Sequence, residues 1–216
     1  MKKIALIGAS GFVGSALLKE SLDRGHSVTA IVRHPEKITI ENPNLQVKQG
    51  DIMSEEVVVD LVAGVDVVIS AYNPGWTNPN IGEDTTNAYK SIIEGVKKAG
   101  IPRLLIVGGA GSLFISPDVR IMDTGVIPES YMFAVKSLAD VYYDLQKNEK
   151  DLDWVFFSPA VNIAPGERTG KFRLGKDFLI VDDKGDSNIS VEDYAVAMLN
   201  EVELPQHHKE RFTIGY

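Results

Sequence analysis

The 216-residue chain contains no cysteine. That absence removes disulfides, thiolate nucleophiles and zinc–cysteine sites together, so any catalysis rests on oxygen or nitrogen groups or on a bound cofactor. Basic residues are also short: 22 Lys and Arg face 30 Asp and Glu, for a formal charge of −8 with no basic run to offset it. A field of that sign opposes phosphate backbones and anionic membranes, so neither nucleic acid nor membrane is an expected partner. Long apolar runs are missing as well. The first, residues 4–7, is too short for a signal-peptide core, and no later segment approaches a membrane span. The expected compartment is the cytoplasm. The four histidines, His26, His34, His207 and His208, make no triad. No His/carboxylate cluster has metal-ligand spacing and no serine lies in a nucleophile elbow, so no metal site and no hydrolase is expected. Asp177, Asp182, Asp183 and Asp186 crowd together and are read as a solvated turn.

What is present is a core-forming pattern. With 44% hydrophobic side chains, a chain of this length fits one α/β domain over residues 1–216. Short apolar runs at 3–7, 28–32, 45–48, 65–71, 104–107 and 154–157 alternate with amphipathic stretches at 14–24, 54–63, 85–99 and 130–147. Runs rich in β-branched and aromatic residues between such helices predict a doubly wound parallel sheet covered on both faces. Gly25, Gly64 and Gly100 follow three of the helical stretches as C-caps. Past Pro159 the alternation weakens into a Gly/Pro/charge-rich stretch to about Gly185, then a short run at 188–191 and a helix from Glu192. Residues 159–191 are read as a substrate-side elaboration of the same domain, lacking the apolar runs for a core of its own.

Directly after the first strand stands Gly8-Ala9-Ser10-Gly11-Phe12-Val13-Gly14, followed by an amphipathic helix. Its spacing is GxxGxxG, not GxGxxG, so the strand–turn–helix context carries the reading. In that context glycines let the backbone approach a pyrophosphate placed at the helix N-terminus. A Rossmann-type dinucleotide site is expected there. The second strand ends at Val32-Arg33-His34, and Arg33 lies 19 residues beyond Gly14, where an acidic residue would hold the ribose of NAD and an arginine a 2′-phosphate. NADP(H) is therefore preferred, with NAD(H) still open.

The glycine motif, the basic residue after strand two and Gly50-Asp51-Ile52 after strand three together resemble atypical and extended short-chain dehydrogenase/reductases. Ile69-Ser70-Ala71, and Phe157-Ser158-Pro159-Ala160-Val161-Asn162 with Gly166, resemble the epimerase/dehydratase-like members. Residues 189–195 and 211–216 are most similar to the bacterial NADH-flavin reductase branch. The resemblance implies that Ser10, Gly11 and Phe12 donate backbone hydrogen bonds to phosphate, that Asp51 and Ile52 flank adenine, and that Ser70 and Ala71 line the ribose and nicotinamide side.

In the typical family member a tyrosine and a lysine four residues later share the catalytic helix face. Here Tyr131 and Lys136 are five apart, a rotation of about 140° on a helix with 3.6 residues per turn. Met132 occupies the expected tyrosine position. A displaced Tyr131 can still act if the helix starts after it. Lys136 is either a ribose contact or an exposed helical lysine, and Ser112 either replaces the family's serine or is a turn residue. Hydride passage to a flavin, quinone or similar planar conjugated acceptor needs no tyrosine acid, because the chemistry is intrinsic to the two ring systems. Tyr72, Trp76, Phe114 and Tyr131 are candidates for an aromatic slot, and the Gly/Pro/Asn-rich segment 73–83 reads as a flexible lid. Three functions compete: a reductase of such an acceptor, a nonenzymatic NmrA-like redox sensor with a protein partner, and a sugar-nucleotide epimerase or dehydratase.

Overall fold

The computed structural model describes residues 1–216. The chain alternates strands and helices from its start: β1 (Lys3–Ile7), α1 (Phe12–Asp23), β2 (Ser27–Val32), β3 (Leu45–Gln49), α2 (Glu55–Val62), β4 (Val67–Ser70), α3 (Ile81–Lys98) and β5 (Arg103–Val107). A short hairpin of β6 (Phe114–Ser116) and β7 (Val119–Arg120) precedes α4 (Glu129–Asn148) and β8 (Asp153–Ser158). Then come β9 (Asn162–Ala164), β10 (Arg173–Gly175), β11 (Asn188–Ser190), α5 (Val191–Glu203) and β12 (Glu210–Gly215). Eight strands form one sheet in the order β10-β12-β8-β5-β4-β1-β2-β3, parallel throughout except for the antiparallel edge strand β10. This is the doubly wound α/β domain that the alternation predicts.

Both faces of the central strands are buried because helices cover both sides. Leu17, Leu18 and Leu22 of α1 join Tyr194, Met198 and Leu199 of α5 against Ile4, Leu6 and Val155 on one face. On the other, α2, α3 and α4 bring Val58, Ile92, Val96 and Tyr142 against Ile7, Val68, Leu104 and Phe156. Gly25, Gly64 and Gly100 follow α1, α2 and α3 at φ of +77°, +76° and +69°, the left-handed conformation that glycine adopts at low cost after a helix.

All six expected strands exist, and the sheet adds two more. β12 lies parallel to β8, fixed by a stack of four rings: Tyr194 on Phe157 at 4.2 Å, Phe157 on Phe212 at 3.9 Å and Phe212 on His207 at 4.2 Å. The buried Tyr194 hydroxyl donates to the Phe157 carbonyl at 2.7 Å. Several boundaries also differ from expectation, among them the start of α1, at Phe12 and not Gly14. The fourth strand begins at Val67, not Val65, and α3 begins at Ile81, four residues before Thr85. Ile81 is buried, so its packing draws the helix start back through Gly82, Glu83 and Asp84. The segment 73–83 thus shrinks to a loop at 71–80 with its own hydrogen-bonded turns, Gly75 N–H to Asn73 Oδ1 at 2.7 Å and Asn80 N–H to Asn78 Oδ1 at 2.9 Å. The acidic group near 182 also divides. Asp182 accepts from the Lys184 and Asp186 amides in a turn, whereas Asp177 pairs with the buried Arg211 at 2.6 Å.

Residues 159–191 pack into the same core through Ala160 and Ile189, with Ile163 and Phe172 against it. They are also tied to α1 by charge: Arg168 reaches Glu20 through two hydrogen bonds of 2.7 Å, and Arg24 reaches the same carboxylate at 2.7 Å. No helix is both long and apolar enough to cross a membrane. The Arg168 guanidinium, with Arg24, holds the buried Glu20 carboxyl below its ordinary range. A depressed folded-state pKa gives stability that is complete above the unfolded value and lost as pH falls through the folded one. Glu20→Gln is therefore expected to lower stability by about 1–3 kcal/mol at pH 7 and to flatten the loss between pH 5 and 3. Urea unfolding midpoints of both proteins across that range check this, and parallel pH profiles would refute it.

Candidate functional site

From β1 the chain winds outward to β2 and β3 on one side, and from β4 to β5 and β8 on the other. A crevice opens where the winding reverses, at the C-terminal ends of β1 and β4. Gly8 and Ala71 face each other there. Gly8 has φ +78°, and a Cβ on it would lie 2.6 Å from the Ala71 carbonyl oxygen. A Cβ on Gly14 would lie 2.0 Å from the Gly8 carbonyl oxygen, and one on Gly11 3.3 Å from the same atom. The glycines bring α1 onto the turn closely enough that no side chain intrudes. The first helical hydrogen bond is Ser15 N–H to Gly11 O at 2.8 Å, and Gly11 supplies no side-chain cap. The amides of Phe12, Val13 and Gly14 precede that bond and remain free for an anion. Ser10, Gly11 and Phe12 are exposed around them. This cradle suits the pyrophosphate of a dinucleotide.

At the end of β2, Arg33 and His34 are exposed. The other six arginines all place their guanidinium groups on carboxylates or carbonyls. Arg33 has only its carbonyl engaged, by Gln49 at 3.0 Å. His34 stands 3.2 Å from Glu36. Across the crevice Tyr72 is half-buried, and burial raises its phenol pKa while the nearby Arg33 charge pulls it down and Asp84 and Asp51 push it up. Arg33, Asp51 and Tyr72 therefore share one neighbourhood although 39 positions separate the first and last. Asp51 is exposed and accepts from the Met53 amide at 3.1 Å. Ile52 is largely a core residue. Ser70 is fully buried, turned towards Tyr89, whose hydroxyl, pushed up to about 12 by burial, donates to the Tyr72 carbonyl at 3.4 Å. That contact props the loop after β4. Ala71 stays partly exposed.

The residues expected to be catalytic do not assemble. The helix α4 begins at Glu129, and the Tyr131 amide already donates to Pro128 at 2.9 Å, so the helix does not start after Tyr131. Tyr131 and Lys136 consequently point in different directions. Tyr131 shares its face with Val135, four residues on, and a Cβ on Gly111 would come within 2.3 Å of Val135 Cγ1. The strand-end loop thus meets Val135, while Lys136 is exposed on the adjacent face near Asp123. Ser112 is buried, and its Oγ accepts from Arg211 at 2.9 Å; it is a brace within the fold. Phe114 also leaves the expected aromatic group, pairing with Phe178 at 5.8 Å beyond β12. Trp76 and Tyr131 do meet, edge to face, with centroids 5.5 Å apart, and both remain substantially exposed at 59% and 44%.

Several structural residues escaped the sequence reading. Arg211 is buried over the Tyr142 ring at 4.3 Å and joins Ser112 to Asp177. Asp193 is fully buried and gathers donors from the strap at 165–172 and from Tyr216. The available signal was the Ser190-x-x-Asp193 spacing, an N-cap pattern realised by the Asp193 amide donating to Ser190 Oγ at 3.0 Å. Nothing local in the sequence marks Arg211.

A family described as NAD(P)H-binding matches residues 8–203. The Bacillus subtilis protein YwnB, itself uncharacterized, is 40% identical, with 98% of this chain and 97% of that protein aligned. A candidate epimerase from Bacteroides thetaiotaomicron is 59% identical with a TM-score of 0.94, covering 100% of this chain and 97% of that one. A candidate NADH-flavin reductase from Streptococcus pneumoniae is 35% identical with a TM-score of 0.83, covering 100% and 99%. Cradle geometry and family agree: the chain belongs to the NAD(P)H-binding family of oxidoreductases, within the short-chain dehydrogenase/reductase-like and epimerase superfamily, and its cofactor is a nicotinamide dinucleotide.

Proposed function

We propose that this protein is an NADPH-dependent reductase that delivers hydride to a flavin, a quinone or a similar planar conjugated acceptor. The observation that carries the reading is the exposed Trp76–Tyr131 pair at the C-terminal edge of the sheet, edge to face at 5.5 Å, with Lys136 on a different helix face. An aromatic wall of that kind favours a flat ring. A tyrosine without its lysine is poorly equipped to move a proton at a hydroxyl carbon. That weighs against the sugar-nucleotide epimerase or dehydratase reading.

In this reading Gly8, Ser10, Gly11, Phe12 and Gly14 form the pyrophosphate turn, and the free α1 amides supply the donors. Arg33, the one arginine with an unengaged guanidinium, would take the 2′-phosphate, with His34 beside it. Asp51 and Ile52 would border the adenine, and Ala71 with the Ser70 backbone the ribose. When bound, the reduced nicotinamide supplies the hydride, and the chain's part is to align two rings and exclude water. Trp76 and Tyr131 orient the acceptor ring. Neither Lys136 nor Ser112 is required.

The split of Tyr131 from Lys136 also suits the nonenzymatic redox sensor, so turnover decides between them. Titration with NADPH and NADH, followed by an acceptor screen at the reduced-nicotinamide absorbance, tests the proposal. FMN-, riboflavin- or quinone-dependent NADPH oxidation supports it, whereas tight binding without any turnover assigns the sensor. Arg33→Ala is expected to weaken NADPH binding by about 1–3 kcal/mol and leave NADH nearly unchanged. Gly14→Ala, which drives a Cβ into the Gly8 carbonyl, is expected to weaken both dinucleotides together; calorimetry on the two variants separates the cases. Among the aromatic residues, Trp76→Ala should raise the acceptor KM about tenfold through lost stacking. Tyr131→Phe should keep kcat within about threefold, since the ring is retained, and a loss of a hundredfold or more would restore an acid role to Tyr131.

A further inference from the structure

The chain leaves β8 at Ser158, passes the exposed Val161, forms β9 and then runs as a strap over residues 165–172. The strap has no regular structure, yet four groups hold it, one of them the Glu192 carboxylate, which accepts from the Gly166 amide at 2.9 Å. The Arg168–Glu20 contact fixes it to α1. At the start of α5, the buried Asp193 carboxylate accepts from Thr169 Oγ1 at 2.5 Å, from the Gly170 amide at 2.7 Å and from the Tyr216 hydroxyl at 2.8 Å. The α5 N-cap Ser190 donates to the Glu167 carbonyl at 2.8 Å, and its amide donates to the Tyr216 hydroxyl at 3.2 Å. Tyr216, the last residue, closes the arrangement, its own amide donating to Asn188 at 3.0 Å. An open cavity of about 360 Å³ lies between the strap and β11, with Asn162, Glu167, Asn188 and Tyr216 among its walls.

Two features make this more than surface trim. A Cβ on Gly166 would approach Ser190 Cβ to 2.9 Å, so the strap lies as close to the α5 N-terminus as backbone allows. Asp193 is also the group on which both strap and C-terminus converge. Removing either donor leaves a buried carboxylate short of a partner, which is costly enough to release the weaker-held element. The element with least packing of its own is the strap, exposed from Ala164 to Lys171.

We infer that Asp193, Thr169 and Tyr216 form a latch that positions the wall of the cleft following β8, from Val161 through β9, and thereby the acceptor. The inference rests on the proposed reductase reading, in which this side of the sheet faces the acceptor. The three are positioning residues, acting through the strap and not on the reacting atoms. The proposed cofactor contacts follow β1, β2, β3 and β4, outside the latch, so acceptor binding and dinucleotide binding respond differently when it opens.

The test compares the parent protein with Tyr216→Phe, Thr169→Val and Thr169→Ser. Opening the latch is expected to raise the acceptor KM about fivefold or more in Tyr216→Phe and Thr169→Val, with kcat and the NADPH Kd within about twofold, and Thr169→Ser should behave as the parent. Independently of activity, trypsin cleavage within the strap, after Arg168 and Lys171, should speed up about tenfold in the first two variants, while cleavage outside the strap and the urea midpoint stay close to the parent's. Unchanged cleavage within the strap overturns the latch whatever the acceptor proves to be. Cleavage that rises at all sites together, with a falling midpoint, overturns it as mere loosening of the fold. Faster local cleavage with an unchanged acceptor KM overturns the positioning role alone. If the parent turns over no acceptor, the reductase reading fails and the acceptor role falls with it, while the trypsin result still decides the latch.

Discussion

One carbonyl oxygen sets the geometry of the cofactor end. The Gly8 oxygen accepts the Gly11 amide at 3.0 Å, and the Cβ positions of Gly11 and Gly14 point at it from 3.3 and 2.0 Å. Gly8 itself is pressed against Ala71, the residue that follows β4. The GxxGxxG spacing is therefore a record of crowding around one atom. Each glycine permits one approach: strand to strand, turn to turn, helix to turn. The result is that α1 starts immediately above the gap between β1 and β4, with its first amides turned outwards. The site follows from the sheet's winding and needs no special loop.

The rest of the chain shows how a parallel sheet is finished at its open side. β8 is buried along almost its whole length and needs a neighbour beyond β5. β12 fills that place, and the ring stack from Tyr194 to His207 joins it to α5 across the sheet. On the other face of β12 the segments at 112–114 and 177–179 join Tyr142 of α4, drawn together by the Arg211 guanidinium, whose burial is offset by Asp177, by Ser112 and by the Tyr142 ring. This explains why Ser112 and Phe114, which follow β5 as active-site residues would, lie away from the crevice. The loop that carries them is part of the roof over the sheet edge.

What could be read from sequence was what is locally encoded. Strand runs, C-cap glycines and the glycine turn each depend on residues within a few positions, and all were legible. The start of α3 was not, because Gly82, Thr85 and Thr86 are weak helix formers and only the burial of Ile81, a tertiary fact, draws the helix back. β12 was visible as a familiar ending but not as a strand, since its six residues gain their partners only when β8 lies alongside. Arg211 and Ser112 are 99 positions apart, and no periodicity links them. The spacing of Tyr131 and Lys136 did show that they diverge. It could not show which of the two keeps the strand-end face, and that depended on Val135 packing over Gly111.

The distribution of charge completes the argument about where a ligand belongs. Several buried charged groups here are paired with opposite charge: Glu20 with Arg24 and Arg168, Arg103 with Asp153 and Glu201, Arg211 with Asp177, while Asp193 is held by neutral donors. Apart from Glu20–Arg24 at the end of α1, those pairs join elements distant in sequence, and they mark architecture, not chemistry. Function is to be sought in the opposite condition, polar groups that the fold positions and leaves unspent. The first-turn amides of α1 and the Arg33 guanidinium meet that condition, and both face the crevice where the sheet reverses direction. In a chain with a net charge of −8, donors and a cation left free at one edge are the natural seat for an anionic cofactor, drawn there against the sign of the whole molecule by short-range hydrogen bonding.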